Sequence, residues 1–391
     1  MVNLEIKRPA HLVPSYSLTG DLLSYLRCHL QYRYYNGSSL PPSRPVQLWY
    51  GEFIHGVLEA TYRLWETGNA PSFPWPMMVS QWNEDPPARP EHDIGEIGDR
   101  IEVVLRAQGK EARSRDTRAA AYRRAFAAVN ELGPLLFPLI ADAETKVIGT
   151  RALPPIAGHP PLRAQRYELH GVIDVVTQLE LAAVPAHHAL RQAVETACAH
   201  LPPQFEIIAD YKGAARPRLS SDFWPQGDWQ VQTYAWLRNH QAQGIPIVAG
   251  VLFYINELSP GVDDMKEAKY QFEHNDTDVV PEQGSLDERI LRNWHPGQAT
   301  DQMSLAFRLR RAIRVIPVTP ASLQTATTNF DNVVRSIEEN IEHEARVGHI
   351  PDAWQANCRS EGDCAACDFR HFCTSPAPNN DVINIVPPPA P

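Results

Sequence analysis

Between Gly171 and Tyr234 the chain carries two short runs with an acid each, GVID at Gly171–Asp174 and ADYK at Ala209–Lys212, the second closed by a lysine. Both read as strands, and as neighbours in one sheet. Two aspartates and a lysine at the ends of adjacent strands can hold a divalent cation and a water. A third run, IVAGVLFYI at Ile247–Ile255, reads as a fully buried strand from its length and β-branched content. Helical patterns precede these strands and follow them. The expected fold is therefore α/β, a mixed sheet flanked by helices with helical additions.

Taken in order, Ser15–Tyr35 reads as a short helix started by Ser17 or Thr19, with Cys28 towards its end. Val46–Trp65 is a second helix, and Glu52, His55 and Glu59 share one of its faces. A histidine so flanked can reach a metal, although a lone helical histidine is more often structural. Arg100–Gly133 is expected to be a helix, His170-Gly171 a tight turn, and Leu181–Pro203 a helical insertion holding Cys198 and a surface pair, His187 and His188. Asp228–Gln241 is an amphipathic helix, Tyr270–His274 a further strand, and Leu286–Val315 and Pro320–Val347 helices. The Pro- and Asn-rich residues from Pro376 read as a disordered tail. The expected divisions are 1–45, a helical region 46–142, a core 143–275, a helical region 276–350, a cysteine-bearing segment 351–375 and the tail 376–391.

At 391 residues with 43% hydrophobic and 21% charged content, the chain has ample material for a core. Met1–Tyr16 lacks a basic-then-apolar export pattern, and the longest apolar run, Ile245–Ile255, contains Pro246 and is too short for a bilayer. A cytoplasmic protein without a membrane partner is expected. The net charge of −10 argues against a protein that coats nucleic acid. Two stretches run the other way: Arg100–Arg124 has eight basic and three acidic residues, and Arg289–Arg314 has six and one. Each is either a path for phosphates or a solvated helix face. There is no GxxxxGK[ST] loop, so any ATP-driven motor would be another chain.

Phosphodiester hydrolysis requires an activated water and a cation that stabilises charge on the phosphate oxygens. Asp174 and Asp210 would supply carboxylate ligands, with the Tyr211 carbonyl as a third oxygen. Lys212, two residues beyond Asp210, leaves the strand on the same face and can orient or help deprotonate the water. Gln230 and Tyr234, at i and i+4 of one helix, are placed to hold the nearby phosphate or water.

A helical His, GxxD, a (D/E)xK strand and QxxxY, in this order, resemble the RecB-like branch of the PD-(D/E)xK nucleases. Here they are His55, Asp174, Asp210 with Lys212, and Gln230 with Tyr234. The resemblance implies a restriction-endonuclease-like core, with His55, Asp174 and Asp210 as ligands of Mg²⁺ or Mn²⁺ and Lys212 as the catalytic lysine. It implies a deoxyribonuclease, best suited to exonucleolytic trimming of single-stranded DNA or frayed ends in repair, recombination or antiviral defence. The alternatives are a non-catalytic DNA-binding or scaffold subunit and a site-selective endonuclease. The 35 residues between Asp174 and Asp210 are more than the pattern usually has, and the insertion Leu181–Pro203 accounts for them.

Cys364-x2-Cys367-x5-Cys373, with Cys28 upstream, is a set of four thiols of the kind that ligates a [4Fe–4S] cluster. The layout is similar to that of iron–sulfur members of the same family, including CRISPR-associated adaptation nucleases and nuclease subunits of helicase–nuclease complexes. The resemblance thereby extends over roughly Ser15–Cys373 and implies a helicase or CRISPR/defence partner. Zinc is the rival occupant. Cys358, six residues before Cys364, is either a spare thiol or a replacement for Cys28.

Overall fold

The β-branched runs form one mixed sheet in the computed structural model, which describes residues 13–36, 47–78, 89–155, 165–221, 223–241 and 244–358, together with 364, 367, 369, 370 and 373. Its strands are β1 (Ser15–Ser17), β2 (Ile140–Ala152), β3 (Arg166–Glu180), β4 (Gln204–Lys212), β5 (Ile247–Tyr254) and β6 (Ile313–Pro317). The order is β1-β3-β4-β5-β6, with β2 also antiparallel to β3. β4 and β5 run parallel, whereas β3 with β4 and β5 with β6 are antiparallel. The tail from 376 lies outside the described residues.

The longer helices are α1 (Gln47–Glu66), α2 (Ile94–Ala107), α3 (Arg115–Ala127), α4 (Ala189–Ala197), α5 (Phe223–Asn239), α6 (Val262–Glu273), α7 (Leu286–Asn293), α8 (Leu305–Ala312) and α9 (Pro320–Val347). Asp93, Ser114, Ser285, Ser304 and Thr319 cap the starts of α2, α3, α7, α8 and α9 by accepting backbone N–H groups. Gly348 ends α9 in the left-handed region at φ 69°. Among the described residues no helix is long and apolar enough to cross a membrane.

The sheet separates two apolar layers. On one side Phe205, Ile207 and Ala209 of β4 and Ala249, Val251 and Phe253 of β5 pack with Trp49, Phe53 and Val57 of α1 and with Tyr122 of α3. On the other, Tyr16, Leu169 and Ile173 pack with Trp229 and Leu237 of α5 and with Phe330, Val334 and Ile337 of α9. Three buried acids of α9 reach different layers of this second side. Asp331 accepts from Arg151 and Tyr167, Glu338 from Tyr16 of β1, and Glu344 from Arg33 and Trp354.

One edge of β3 is divided. β1 pairs with Glu168–His170 and β4 with Val175–Glu180 along the edge opposite β2, so Gly171–Asp174 between them have no strand partner there among the described residues. The gap opens into a cleft of about 460 Å³. The apolar alternation of β3 also changes phase at this point. Leu169 and Ile173 face the α9 layer, but Val175 and Leu179 face the α1 layer. Opposite Asp174, between the pairs Ala143↔Val175 and Thr145↔Ile173, Glu144 adopts φ 50°. A local irregularity of this kind re-aims a side chain next to a site.

Several expectations need correction. His170-Gly171 is not a turn but continuous strand. Ser15–Tyr35 is not one helix: it begins with β1 and breaks at Cys28, whose backbone is extended at φ −164°. Arg100–Gly133 is interrupted between α2 and α3. Tyr270–His274 belongs to the end of α6, with Asp263 and Asp264 in that helix's first turn and Met265 and Ala268 on its buried face. Leu286–Val315 splits into α7 and α8, and Ile313–Val315 lies in β6. The insertion Leu181–Pro203 holds one short helix, α4.

Candidate active site

Asp174 and Asp210 come together because β3 and β4 are hydrogen-bonded neighbours, with Val175 opposite Ala209. The Tyr211 N–H donates to Asp174 Oδ2 at 2.9 Å. From α1, His55 Nδ1 lies 3.4 Å from the same oxygen, and its Nε2 lies 2.8 Å from the Tyr211 carbonyl. Two acceptors on the two ring nitrogens favour the imidazolium, which donates to both. Burial alone lowers the pKa of His55, but Asp174, then Asp210 and the Tyr211 carbonyl, raise it to about 9. Burial raises Asp174, but His55, the Tyr211 N–H and Lys212 outweigh it and leave the carboxyl below its usual range. For Asp210 burial wins: the neighbouring charge of Asp174 adds to it, Lys212 opposes it, and the net direction is upward.

Lys212 Nζ lies 2.6 Å from Asp210 Oδ2 and donates to Gln230 Oε1 at 2.7 Å, while Gln230 Nε2 donates to Asp210 Oδ1 at 3.0 Å. Gln230 therefore fixes the lysine and the aspartate at once. Asp210 Oδ2 is buried and receives no aligned hydrogen bond despite the nearby ammonium. Among the described residues no three His, Cys, Asp or Glu side chains stand at coordinating spacing. In this arrangement the imidazolium and the ammonium neutralise the two carboxylates. Two carboxylates and a peptide carbonyl around one under-bonded buried oxygen are of the types that hard divalent cations bind, and the imidazole beside them is a softer donor suited to the transition metals.

Tyr234 is buried against Gly171: a Cβ at position 171 would lie 2.6 Å from Tyr234 Cε1. The glycine of GVID is thus required by the close approach of α5, and Tyr234 buttresses β3 one turn beyond Gln230. Gly171→Ala is expected to displace the Tyr234 ring, destabilise the fold by about 1–3 kcal/mol and reduce activity by more than its effect on stability. Urea unfolding alongside initial rates checks this, and a variant as stable and active as the parent would show that the contact relaxes freely.

Glu144 is a charged neighbour of the site that sequence reading missed. Burial, then the charges of Asp174 and Glu59, raise its carboxyl to about 7, with His55 and Arg63 opposing. Its only sequence signal is an acid in the strand before GVID. Glu52 and Glu59, which flank His55 on α1, are held elsewhere, by Lys110 and Arg63 respectively.

The two basic stretches are largely neutralised within the fold. Arg118 pairs with Asp99 and Glu102, Arg124 with Asp264, Arg308 with Glu131, Arg311 with Glu257 and Arg314 with Asp228. This favours the structural reading of both over a path for phosphates. His188, half-buried, contacts the Leu135 carbonyl, and Cys198 donates weakly to Val248.

At the chain ends, the segment Gln355–Cys358 lies along the start of the helix after Cys28: Leu30 N–H donates to the Gln355 carbonyl at 3.0 Å and His29 N–H to Asn357 Oδ1 at 2.9 Å. Burial, then a hydrogen bond with Cys358 and the nearby thiols of Cys28 and Cys367, push the Cys364 thiol up. Cys373 is exposed and lies by Tyr34, whose phenol is raised by burial and by that thiol. The segment after Cys28 and the segment ending at Cys358 therefore lie side by side, with the Cys364 thiol near Cys28 and Cys358. Neither a protein-family model nor a curated protein matches the sequence.

Proposed function

We propose that the chain is a divalent-metal-dependent deoxyribonuclease of the PD-(D/E)xK type, in the RecB-like branch, acting on single-stranded DNA or DNA ends. The observation that carries this reading is the convergence of His55, Asp174, Asp210, the Tyr211 carbonyl and Lys212 from α1, β3 and β4 into one cleft. His55, Asp174, Asp210 and the Tyr211 carbonyl would hold Mg²⁺ or Mn²⁺, which supplies charge neutralisation at the phosphate and acidifies a water. Lys212 holds and orients that water, and Gln230 keeps the ammonium beside Asp210. Tyr234 keeps β3 in place through Gly171.

The gap between β1 and β4 spans four residues of β3, about 13 Å. Cys28, Cys364, Cys367 and Cys373 would hold a [4Fe–4S] cluster, with zinc as the competing occupant. A motor or integrase partner would be a separate chain.

The test is degradation of linear single-stranded DNA with Mg²⁺ or Mn²⁺, stopped by a chelator and lost in Asp174→Ala. An Asp174→Ala protein as active as the parent would overturn the assignment. Circular single-stranded DNA, left intact, would identify an exonuclease.

A further inference from the structure

The cleft is longer than the catalytic centre needs. Beyond Asp174 it continues along the unpaired edge of β3 to Val172 and His170, and its far wall is Ser17 and Thr19, on and just after β1. None of these four side chains takes part in the chemistry described above. His170 sits four residues from Asp174, about 13 Å along the strand, which is beyond the reach of a group bound between the two aspartates.

This end of the cleft differs in chemistry from the other. The catalytic end holds two carboxylates. The far end presents a hydroxyl on Thr19, an imidazole on His170 and the exposed apolar side chain of Val172, 39% accessible. The imidazole is also held in place. Ser15 Oγ has one proton and gives it to Glu168 Oε1 at 2.7 Å, so its 3.0 Å contact with His170 Nδ1 must be donated by the ring. That turns Nδ1 to Ser15 and leaves the Nε2 edge for the cleft. Ser17, by contrast, is committed to Asp21 through both its N–H and its hydroxyl. The registers Ser15↔Glu168 and Ser17↔His170 hold this wall against β3.

We propose that His170, Thr19 and Val172 form a subsite for the nucleotide next to the scissile phosphodiester. The Thr19 hydroxyl donates to that nucleotide's phosphate, His170 Nε2, the acceptor of a ring whose Nδ1–H faces Ser15, accepts an N–H of its base, and Val172 packs on its sugar or base. The proposal rests on the hydrolase reading of the preceding section. It adds that binding of an extended strand and cleavage of the bond are carried by opposite ends of one cleft.

The experiment compares two substrates in Mn²⁺: a single-stranded oligonucleotide, and bis(p-nitrophenyl) phosphate, a diester with no neighbouring nucleotide. In His170→Ala with Thr19→Val, KM for the oligonucleotide should rise about tenfold, the scale of one or two lost hydrogen bonds, with kcat nearly unchanged. Hydrolysis of the small diester should stay within about twofold of the parent. Both side chains lie at the surface, and an unchanged urea midpoint confirms the fold; His170→Gln replaces the alanine variant if that midpoint moves. An unchanged oligonucleotide KM would overturn the subsite, as would an equal loss on both substrates. A parent protein inactive on both would instead remove the hydrolase reading beneath it.

Discussion

Lys212→Ala is expected to lower turnover on single-stranded DNA by about a hundredfold to ten-thousandfold, the range of a positioned proton-transfer group, with a much smaller change in KM. The side chain has two contacts, with Asp210 and with Gln230, and neither anchors the core. Its loss removes the cation beside Asp210 and leaves that buried carboxylate with Gln230 as its hydrogen-bond donor among the described residues. A metal bound between the aspartates compensates that charge, so the folded protein survives while the water loses its orienting group. Single-turnover rates under saturating Mn²⁺ separate the two effects. A rate within threefold of the parent would remove Lys212 from the chemistry. Lys212→Arg should recover little, since a planar guanidinium cannot replace a compact ammonium against Gln230.

The largest stability effect is expected at Glu257, just after β5. Its carboxylate is 2% exposed and takes Arg311 Nε at 2.6 Å and Nη2 at 3.0 Å, together with the Arg216 N–H at 2.8 Å. Arg216 in turn donates to the Arg311 carbonyl at 2.9 Å and pairs with Asp278. Glu257→Ala leaves a fully buried guanidinium without its counter-charge, and about 3–5 kcal/mol should be lost. Urea midpoints at constant slope measure it. Replacing both partners, Glu257→Leu with Arg311→Met, should restore much of the loss, because two apolar groups of similar volume carry no desolvation cost. A double variant no better than the single would mean that the network's other members depend on the pair: Arg216, and Gln271, which accepts from Arg311 at 3.1 Å and donates to the Arg216 carbonyl at 2.9 Å. Because Arg216 lies four residues past Lys212, the single variant should also loosen the end of β4.

The residues that make the centre were legible because they sit on local patterns. The apolar residues around Asp174 and Asp210 mark strands, and i, i+4 spacing put Gln230 and Tyr234 on one helix face. What escaped depends on contacts distant in sequence. β1 is three residues long and exists only by pairing with a strand more than 150 positions away, so its sequence looked like the start of a helix. β6 follows an arginine-rich helix without a break and is defined by its pairing with β5. Glu144 owes its place to a backbone irregularity opposite Asp174. His170-Gly171 looked like a turn because glycine suggests one, whereas the glycine serves the packing of Tyr234.

Two of the acids of α9 tie the N-terminal segment to the far end of the sequence. Glu338 takes the hydroxyl of Tyr16, and Glu344 the guanidinium of Arg33, partners separated by more than 300 positions. On a ribosome, β1 can settle against β3 midway through synthesis, but its clamp is not complete until residue 338 has emerged. Loops of this length close late and add to the barrier. A nascent or C-terminally truncated chain would thus contain both aspartates and Lys212 while lacking the secured far wall of the cleft. Assembly of the N-terminal wall is in this way tied to arrival of the last helix.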